Sequence, residues 1–302
     1  MYYRRKIFLA LLESFGGSLD STDFEKLLFL YCKNTKQNYY DFFPYKFGCF
    51  SHLSYQDKRV LIKYGYLKES DPPRRIELRY SNEGMNSKKS FINELKEDDK
   101  KSLQKFSAKW KNVRGSRLIK ETYLQYPSYA VKSEIAEKIL NKDELRKVKN
   151  SISTLCNKTL FTAGYEGLTI DAYINKLILN NISLVVDVRR NPLSMKYGFS
   201  KTKLKIYLEK AGINYIHLPE LGIVSKLRKN LETQEDYQEL FDHYASETLS
   251  KNIEAINKII GLLNKYNRIT LTCFEADHKS CHRHKITEWL RNNSFKESII
   301  HI

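Results

Sequence analysis

The segment Ser183-Leu-Val-Val-Asp-Val-Arg-Arg-Asn-Pro192 sets a short apolar run directly before two arginines and a proline. Such a run reads as a strand, and its neighbours on both sides repeat the grammar. Upstream, LFTAGY from Leu160 reads as a strand and TIDAYINKLILNN as a helix. Downstream, KTKLKIYLEKAG reads as a helix and NYIHLPEL as a strand. A long helical stretch then runs to about Tyr266, followed by the strand RITLTCFE, the helix CHRHKITEWLRNN and the closing strand ESIIHI. This alternation predicts an α/β domain with a mostly parallel sheet and helices on both faces.

Open sheets of this type bind ligands beyond the carboxyl ends of their strands. The predicted ends deliver Gly164-Tyr-Glu-Gly167, Asp187-Val-Arg-Arg-Asn-Pro192, His217-Leu-Pro-Glu-Leu-Gly222 and Cys273-Phe-Glu275 to one rim. Four convergent polar segments mark a candidate site. Glu166, Asp187, Glu220 and Glu275 supply carboxylates for general acid–base work, with His217 beside them. Tyr165, Arg189, Arg190, Cys281, His282 and Arg283 are the candidates for holding substrate or phosphate, the arginines by bidentate hydrogen bonds.

The stretch Cys273 to Lys285, CFEADHKSCHRHK, admits three readings. Cys273, His278, Cys281 and His282 have metal-binding donors, but adjacent Cys281 and His282 are expected to diverge at a helix start. The usual paired ligand spacing is also absent, so no metal is expected. Cys281 near a helix N-terminus, next to Arg283, suits a lowered-pKa thiol, unless both cysteines are packing residues. Ser280 to Arg283 opening a helix suits an anion, and this reading needs the fewest assumptions.

GYEG, DVRRNPLS with GFS soon after, YIHLPELG and CFEADHKSCHR, in that order over about residues 159–302, resemble the family known as domain of unknown function 488 (DUF 488). The resemblance implies a compact Rossmann-like α/β domain with its polar residues gathered at one site. It adds Pro192 and Cys273 to the matching positions. Gly222 is followed by Ile-Val, where a further glycine would be expected.

The first half reads differently. Net charge is +17, and residues 1–150 hold 31 Lys and Arg against 19 Asp and Glu, a net +12 against +5 for the remainder. Arg5 to Phe15 has helical apolar spacing and stops at Gly16-Gly17. Ser21 or Thr22 is expected to cap a second helix with Glu25 reaching back. A third helix is expected from about Leu53 to Tyr64, and Ile76, Leu78 and Tyr80 alternate with charges like a strand. Three helices followed by a basic hairpin is the order of a winged helix, which sets a helix in the major groove and a wing against phosphates. KLLFL and PYKFGCFSHLSYQDKRVLIKYGYL also resemble the N-terminal segment of some defence-associated and toxin–antitoxin proteins. Residues 100–120 hold eight basic side chains and no acidic one. Lys58, Arg59, Arg74, Arg75, Lys105, Lys109, Lys111, Arg114 and Arg117 are therefore the candidate nucleic-acid contacts. Phe106 and Trp110, four apart among them, suit a helix core better than base stacking.

The expected organisation is a winged-helix-like module over 1–90, a basic helical connector over 91–155 and the α/β domain over 156–302. No apolar run is long enough to span a membrane, and the N-terminus lacks a signal-peptide cleavage site, so a cytoplasmic protein is expected. Five cysteines, irregularly spaced, fit reduced thiols. These observations predict a nucleic-acid partner, DNA in the first place, no membrane and no cofactor; a homo-oligomer stays open. The expected activity is on a DNA base, nucleotide or sugar–phosphate, such as N-glycosidic hydrolysis, within defence against foreign DNA. The alternatives are a non-catalytic nucleotide or modified-base sensor that regulates transcription, and a thiol or sulfur-transfer enzyme.

Overall fold

The computed structural model describes residues 1–70, 74–79, 90–152, 157–228 and 232–302. The chain divides into two compact units, Met1–Ile152 and Ser153–Ile302.

The first unit opens with α1 (Tyr3–Ser14), β1 (Ser18–Asp20) and α2 (Ser21–Thr35). A hairpin of β2 (Phe43–Tyr45) and β3 (Gly48–Phe50) precedes α3 (His52–Lys63), β4 (Leu67–Ser70) and β5 (Arg75–Leu78). The strands β1, β5 and β4 form one antiparallel sheet in that order. Helix, strand, two helices and a hairpin closing on the first strand make a winged-helix-like arrangement, with β2 and β3 inserted between the second and third helices. Residues 71–73 and 80–89, which include the predicted strand's Tyr80, lie outside the described residues.

The expected cap of α2 is replaced by a tertiary one. Asp20, still extended at the end of β1, takes the N-cap place. The Ser21 amide donates to Arg74 O at 2.8 Å, and Glu25 accepts from the Ser51 amide at 3.1 Å instead of reaching back. The Ser21 amide and the Glu25 carboxylate are thus paired outside the helix, and Ser21 Oγ has no hydrogen-bond partner among the described residues. The cap of α3 is local: Ser51 Oγ accepts from the Ser54 amide.

The unit continues through α4 (Glu97–Trp110), α5 (Gly115–Gln125), α6 (Ala136–Ile139) and α7 (Lys142–Lys149). Leu103, Phe106 and Trp110 of α4 and Leu118 of α5 share one core with Phe8, Leu11, Phe24, Leu28 and Tyr31. The basic segment thus turns its aromatic residues inward, while Lys101, Lys105, Lys109, Lys111 and Arg117 meet solvent.

The second unit is α/β. Among the described residues five strands, β6 (Thr159–Gly164), β7 (Leu184–Asp187), β8 (Asn214–His217), β9 (Arg268–Cys273) and β10 (Ser298–His301), form one sheet in the order β10-β6-β9-β7-β8. All four neighbouring pairs are parallel. The intervening helices are α8 (Ile170–Leu179), α9 (Lys201–Lys210), α10 (Gln234–His243), α11 (Ile253–Tyr266) and α12 (Arg283–Asn292), with a π-helical turn at Tyr244–Leu249 after α10. Leu160, Val186, Ile269 and Leu271 pack with residues of α10, α11 and α12. Successive strand residues point to opposite faces, and Thr272 on the other face shares a 2.7 Å hydrogen bond with Tyr173 of α8. Helices therefore cover both faces, and the central strands are buried throughout.

Candidate functional site

Parallel pairing brings four strand ends to one edge. Gly164 is level with Cys273, and Asp187 with both Thr272 and His217. The loops after β6 and β9 are joined by backbone. The amides of Tyr165 and Glu166 donate to Phe274 O at 3.1 and 2.8 Å, and Glu166 Oε2 accepts from the Ala276 amide at 3.0 Å. Two glycines permit such close approach. A Cβ on Gly164 would lie 1.9 Å from Glu275 O, and one on Gly222 would lie 2.0 Å from the Arg190 amide. Contact with the β7 loop thus accounts for Gly222 whatever residues follow it.

At the end of β7, Asp187 and Arg189 form a closed unit. Asp187 is fully buried; its Oδ1 accepts from Arg189 Nε at 2.8 Å and from the Arg189 amide at 3.1 Å. Its Oδ2 accepts from Arg189 Nη2 at 2.6 Å and Tyr215 OH at 2.7 Å. Arg189 Nη1 donates to Tyr165 OH at 2.7 Å and to Phe199 O at 2.9 Å. Burial works against the guanidinium charge, but Asp187's hydrogen bonds and charge outweigh it and hold the pKa above its ordinary value. Tyr165 is itself buried, stacked on Phe199 with ring centroids 4.1 Å apart, and burial raises its phenol. These three predicted site residues come together, and their polar atoms are occupied by one another, by Tyr215 OH and by Phe199 O.

The other predicted residues spread along the rim. His217 Nε2 lies 2.8 Å from Arg189 O, and the ring is half-buried. Glu166, Arg190 and Glu220 are exposed, with Arg190 Nη1 donating to Pro219 O at 3.3 Å. Sequence reading passed over Lys196. Its Nζ donates to Tyr165 O at 2.9 Å, and burial lowers the pKa of its ammonium. It lies in an irregular loop between Pro192 and the Gly198-Phe-Ser segment, where periodicity gives no signal.

The CFEADHKSCHRHK stretch folds around His282. Cys273 ends β9, Cys281 and His282 precede α12, and all three are buried. Since Cys281 and His282 lie ahead of the helix proper, they do not diverge as expected. Both sulfurs stand 3.8 Å from His282 Nδ1, and the three donor atoms lie within 4.8 Å of one another. His282 Nε2 is 3.1 Å from Val188 O. Burial, then neighbouring Cys273, pushes the Cys281 thiol well above its ordinary value, opposite to the activated thiol that the helix start suggested. Arg283 is completely buried, its Nε donating to Cys281 Sγ at 3.2 Å and its Nη2 to Glu275 O at 2.6 Å. It therefore supports the loop after β9 from inside and does not reach an anion in solvent. A cavity of about 190 Å³ adjoins this cluster, lined by Glu275, Ser280, Cys281 and His282 with Ile223, Tyr237, Leu240 and Phe241.

In the first unit, Arg59, Arg74, Arg75, Lys105, Lys109, Lys111 and Arg117 are exposed. Tyr55, Arg59 and Lys63, four residues apart on α3, are all exposed and form one stripe. The acidic residue of α3, Asp57, is fully buried and pairs with Arg4 and Arg5 at 2.6 Å each. Lys58 is turned inward, 8% exposed, with its Nζ 2.7 Å from Glu69. Arg114 folds back to donate to Trp110 O and Val113 O at 2.9 and 2.6 Å.

No helix among the described residues is long and apolar enough to cross a membrane. Neither the curated proteins nor the solved structures contain a match to the chain. A family model does match, over an interval that holds the DVRRNPLS, YIHLPELG and CFEADHKSCHR motifs but begins after GYEG. Residues 169–290, from the start of α8 into α12, match the family described as Domain of unknown function DUF488.

Proposed function

We propose that this protein binds nucleic acid, duplex DNA in the first place, through the winged-helix-like part of its first unit. The α/β unit is proposed to act on a base, nucleotide or sugar–phosphate at its strand-end rim. The observation that carries the reading is the stripe of Tyr55, Arg59 and Lys63 on α3, whose acidic residue is buried. Such a face meets phosphates and base edges without like-charge repulsion. Exposed Arg74 and Arg75 on the adjoining hairpin, with Lys105, Lys109, Lys111 and Arg117 elsewhere on the unit, extend the positive surface.

The 190 Å³ cavity supports the second part, being sized for a ring. Tyr237 and Phe241 offer aromatic walls, and Glu275 and Ser280 offer polar groups, the combination that holds an extruded base. Glu275 and exposed Glu220 are then the carboxylates for acid–base chemistry in N-glycosidic or related hydrolysis. A place in defence against foreign DNA follows by analogy with reader-plus-effector chains.

The occupied Asp187–Arg189 pair favours a second reading, a sensor that binds a nucleotide or modified base without turnover. Duplex binding at two salt concentrations tests the first part: the affinity should fall steeply as salt rises, and salt-independent or absent binding sinks it. For the second part, Glu275→Gln that retains ligand binding but abolishes base or nucleotide release supports an enzyme. Ligand binding with no release by the wild-type chain supports the sensor.

A further inference from the structure

We propose that Cys273, Cys281 and His282 form a binding site for a thiophilic metal ion, Zn²⁺ in the first place, with its open coordination position facing the cavity beside Glu275.

The sulfur-to-nitrogen spacing fits a shared metal ion. Zn–S bonds of about 2.3 Å and a Zn–N bond of about 2.0–2.1 Å hold sulfur and nitrogen roughly 3.6–3.8 Å apart at tetrahedral to trigonal angles. Both sulfurs are 3.8 Å from His282 Nδ1. Apposed thiols and an imidazole can also be joined by weak S–H···N bonds, but one lone pair serves two such donors poorly, whereas a metal uses all three groups.

The histidine is set in the required tautomer. Val188 O, 3.1 Å from Nε2, can only accept, so Nε2 carries the proton and the Nδ1 lone pair faces the sulfurs. A ring N–H held by a backbone carbonyl is the usual outer-shell support of a metal-binding histidine. Because Val188 follows β7 and Cys273 ends β9, two adjacent strands of the sheet fix ring and sulfur relative to each other.

Charge gives a second, independent argument. Arg283 is completely buried and its Nη1 has no hydrogen-bond partner among the described residues. No ion pair of Arg283 is found among those residues, yet its Nε rests 3.2 Å from Cys281 Sγ. A metal holds its cysteine ligand as thiolate, which gives this buried cation the anion that a neutral thiol does not. Three protein ligands with a fourth position open to a cavity is the pattern of sites that keep a water on the metal. Cys281 and His282 line such a cavity together with Glu275 and Ser280.

The test is Co²⁺ and Zn²⁺ titration of the reduced, chelator-treated full chain. Wild-type protein should bind one equivalent and show thiolate-to-cobalt charge-transfer absorption, bleached by added Zn²⁺. Cys273→Ser, Cys281→Ser and His282→Ala should each weaken binding by at least the roughly 10–100-fold that loss of an outer-shell partner costs, while Cys49→Ser in the first unit should bind as wild type. Absence of the charge-transfer band in folded wild-type protein overturns the proposal, whether or not the variants fold. Binding that survives the Cys273→Ser/Cys281→Ser double variant overturns it equally.

Discussion

The carboxylate of Asp187 and the guanidinium of Arg189, two residues apart at the end of β7, are joined by hydrogen bonds of 2.8 and 2.6 Å in a setting where Asp187 has no exposure. The same pair anchors Tyr215 on β8, Tyr165 after β6 and the backbone of Phe199. Its task is to bind three neighbouring segments of the rim into one piece.

Asp187→Asn should therefore act on stability before chemistry. Removing one partner leaves Arg189 charged and buried, at a cost of about 3–5 kcal/mol. A lowered urea midpoint checks this. A variant as stable as wild type but without turnover would return Asp187 to the catalytic list. Arg189→Lys should also destabilise, since an ammonium cannot make both bonds to Asp187 and still reach Tyr165 and Phe199.

Two neighbours on α3 should behave oppositely. Arg59→Ala should weaken duplex DNA binding and lower the salt slope by about one, with little change in melting temperature. Lys58→Ala should leave the slope intact and lower stability, because its Nζ is committed to Glu69. Equal slopes for Arg59→Ala and wild type would remove α3 from the interface.

The fold was largely legible because its signals are local. The alternation of strands such as SLVVDVRR with helices predicted the parallel sheet, and the strand-end rule brought Asp187, His217 and Cys273 to one edge. What each side chain does there was less legible, since that depends on pairing across strands. Asp187 and Arg189 look like a catalytic acid and a phosphate clamp until Tyr215, Tyr165 and Phe199 occupy their atoms. Cys281 and His282 were expected to diverge because the start of α12 cannot be fixed to one residue by periodicity, and beginning at Arg283 lets both turn towards Cys273. Lys58 failed for a similar reason: its charge suggested a phosphate, whereas its place on α3 beside β4 gave it Glu69.

His278 and His301 stack with ring centroids 3.6 Å apart, and both have pKa values below their ordinary 6.5. Burial is the first cause for each. Asp277 partly offsets it at His278, while His278 and Arg283 add to it at His301. The folded chain therefore takes up these protons less readily than the unfolded one. Stability from the pair is fully present above the unfolded value of 6.5 and is lost as pH falls through it towards the folded values. Thermal melts of wild type and His301→Gln across that window should show a shallower decline in the variant. Parallel declines would show that the pair does not set the pH response.

Substituting alanine at two glycines separates close approach from helix propensity. Gly261 lies in α11, is exposed, and would have nothing within 4 Å of an added Cβ. Gly261→Ala should stabilise the protein by about 0.5–1 kcal/mol through helix propensity. Gly164 ends β6, where the same methyl would stand 1.9 Å from Glu275 O and 2.9 Å from Ala276 Cα. Backbone cannot swing aside as a side-chain tip can, so the loop after β9 must move. That shift would carry away the amide hydrogen bond between Ala276 and Glu166 and the one between Arg283 Nη2 and Glu275 O. Gly164→Ala should therefore lower the unfolding midpoint and, if Cys273, Cys281 and His282 hold a metal, weaken its binding, because Arg283 positions the loop between the two cysteines. Unchanged stability in Gly164→Ala would mean that the two loops are not held together as described.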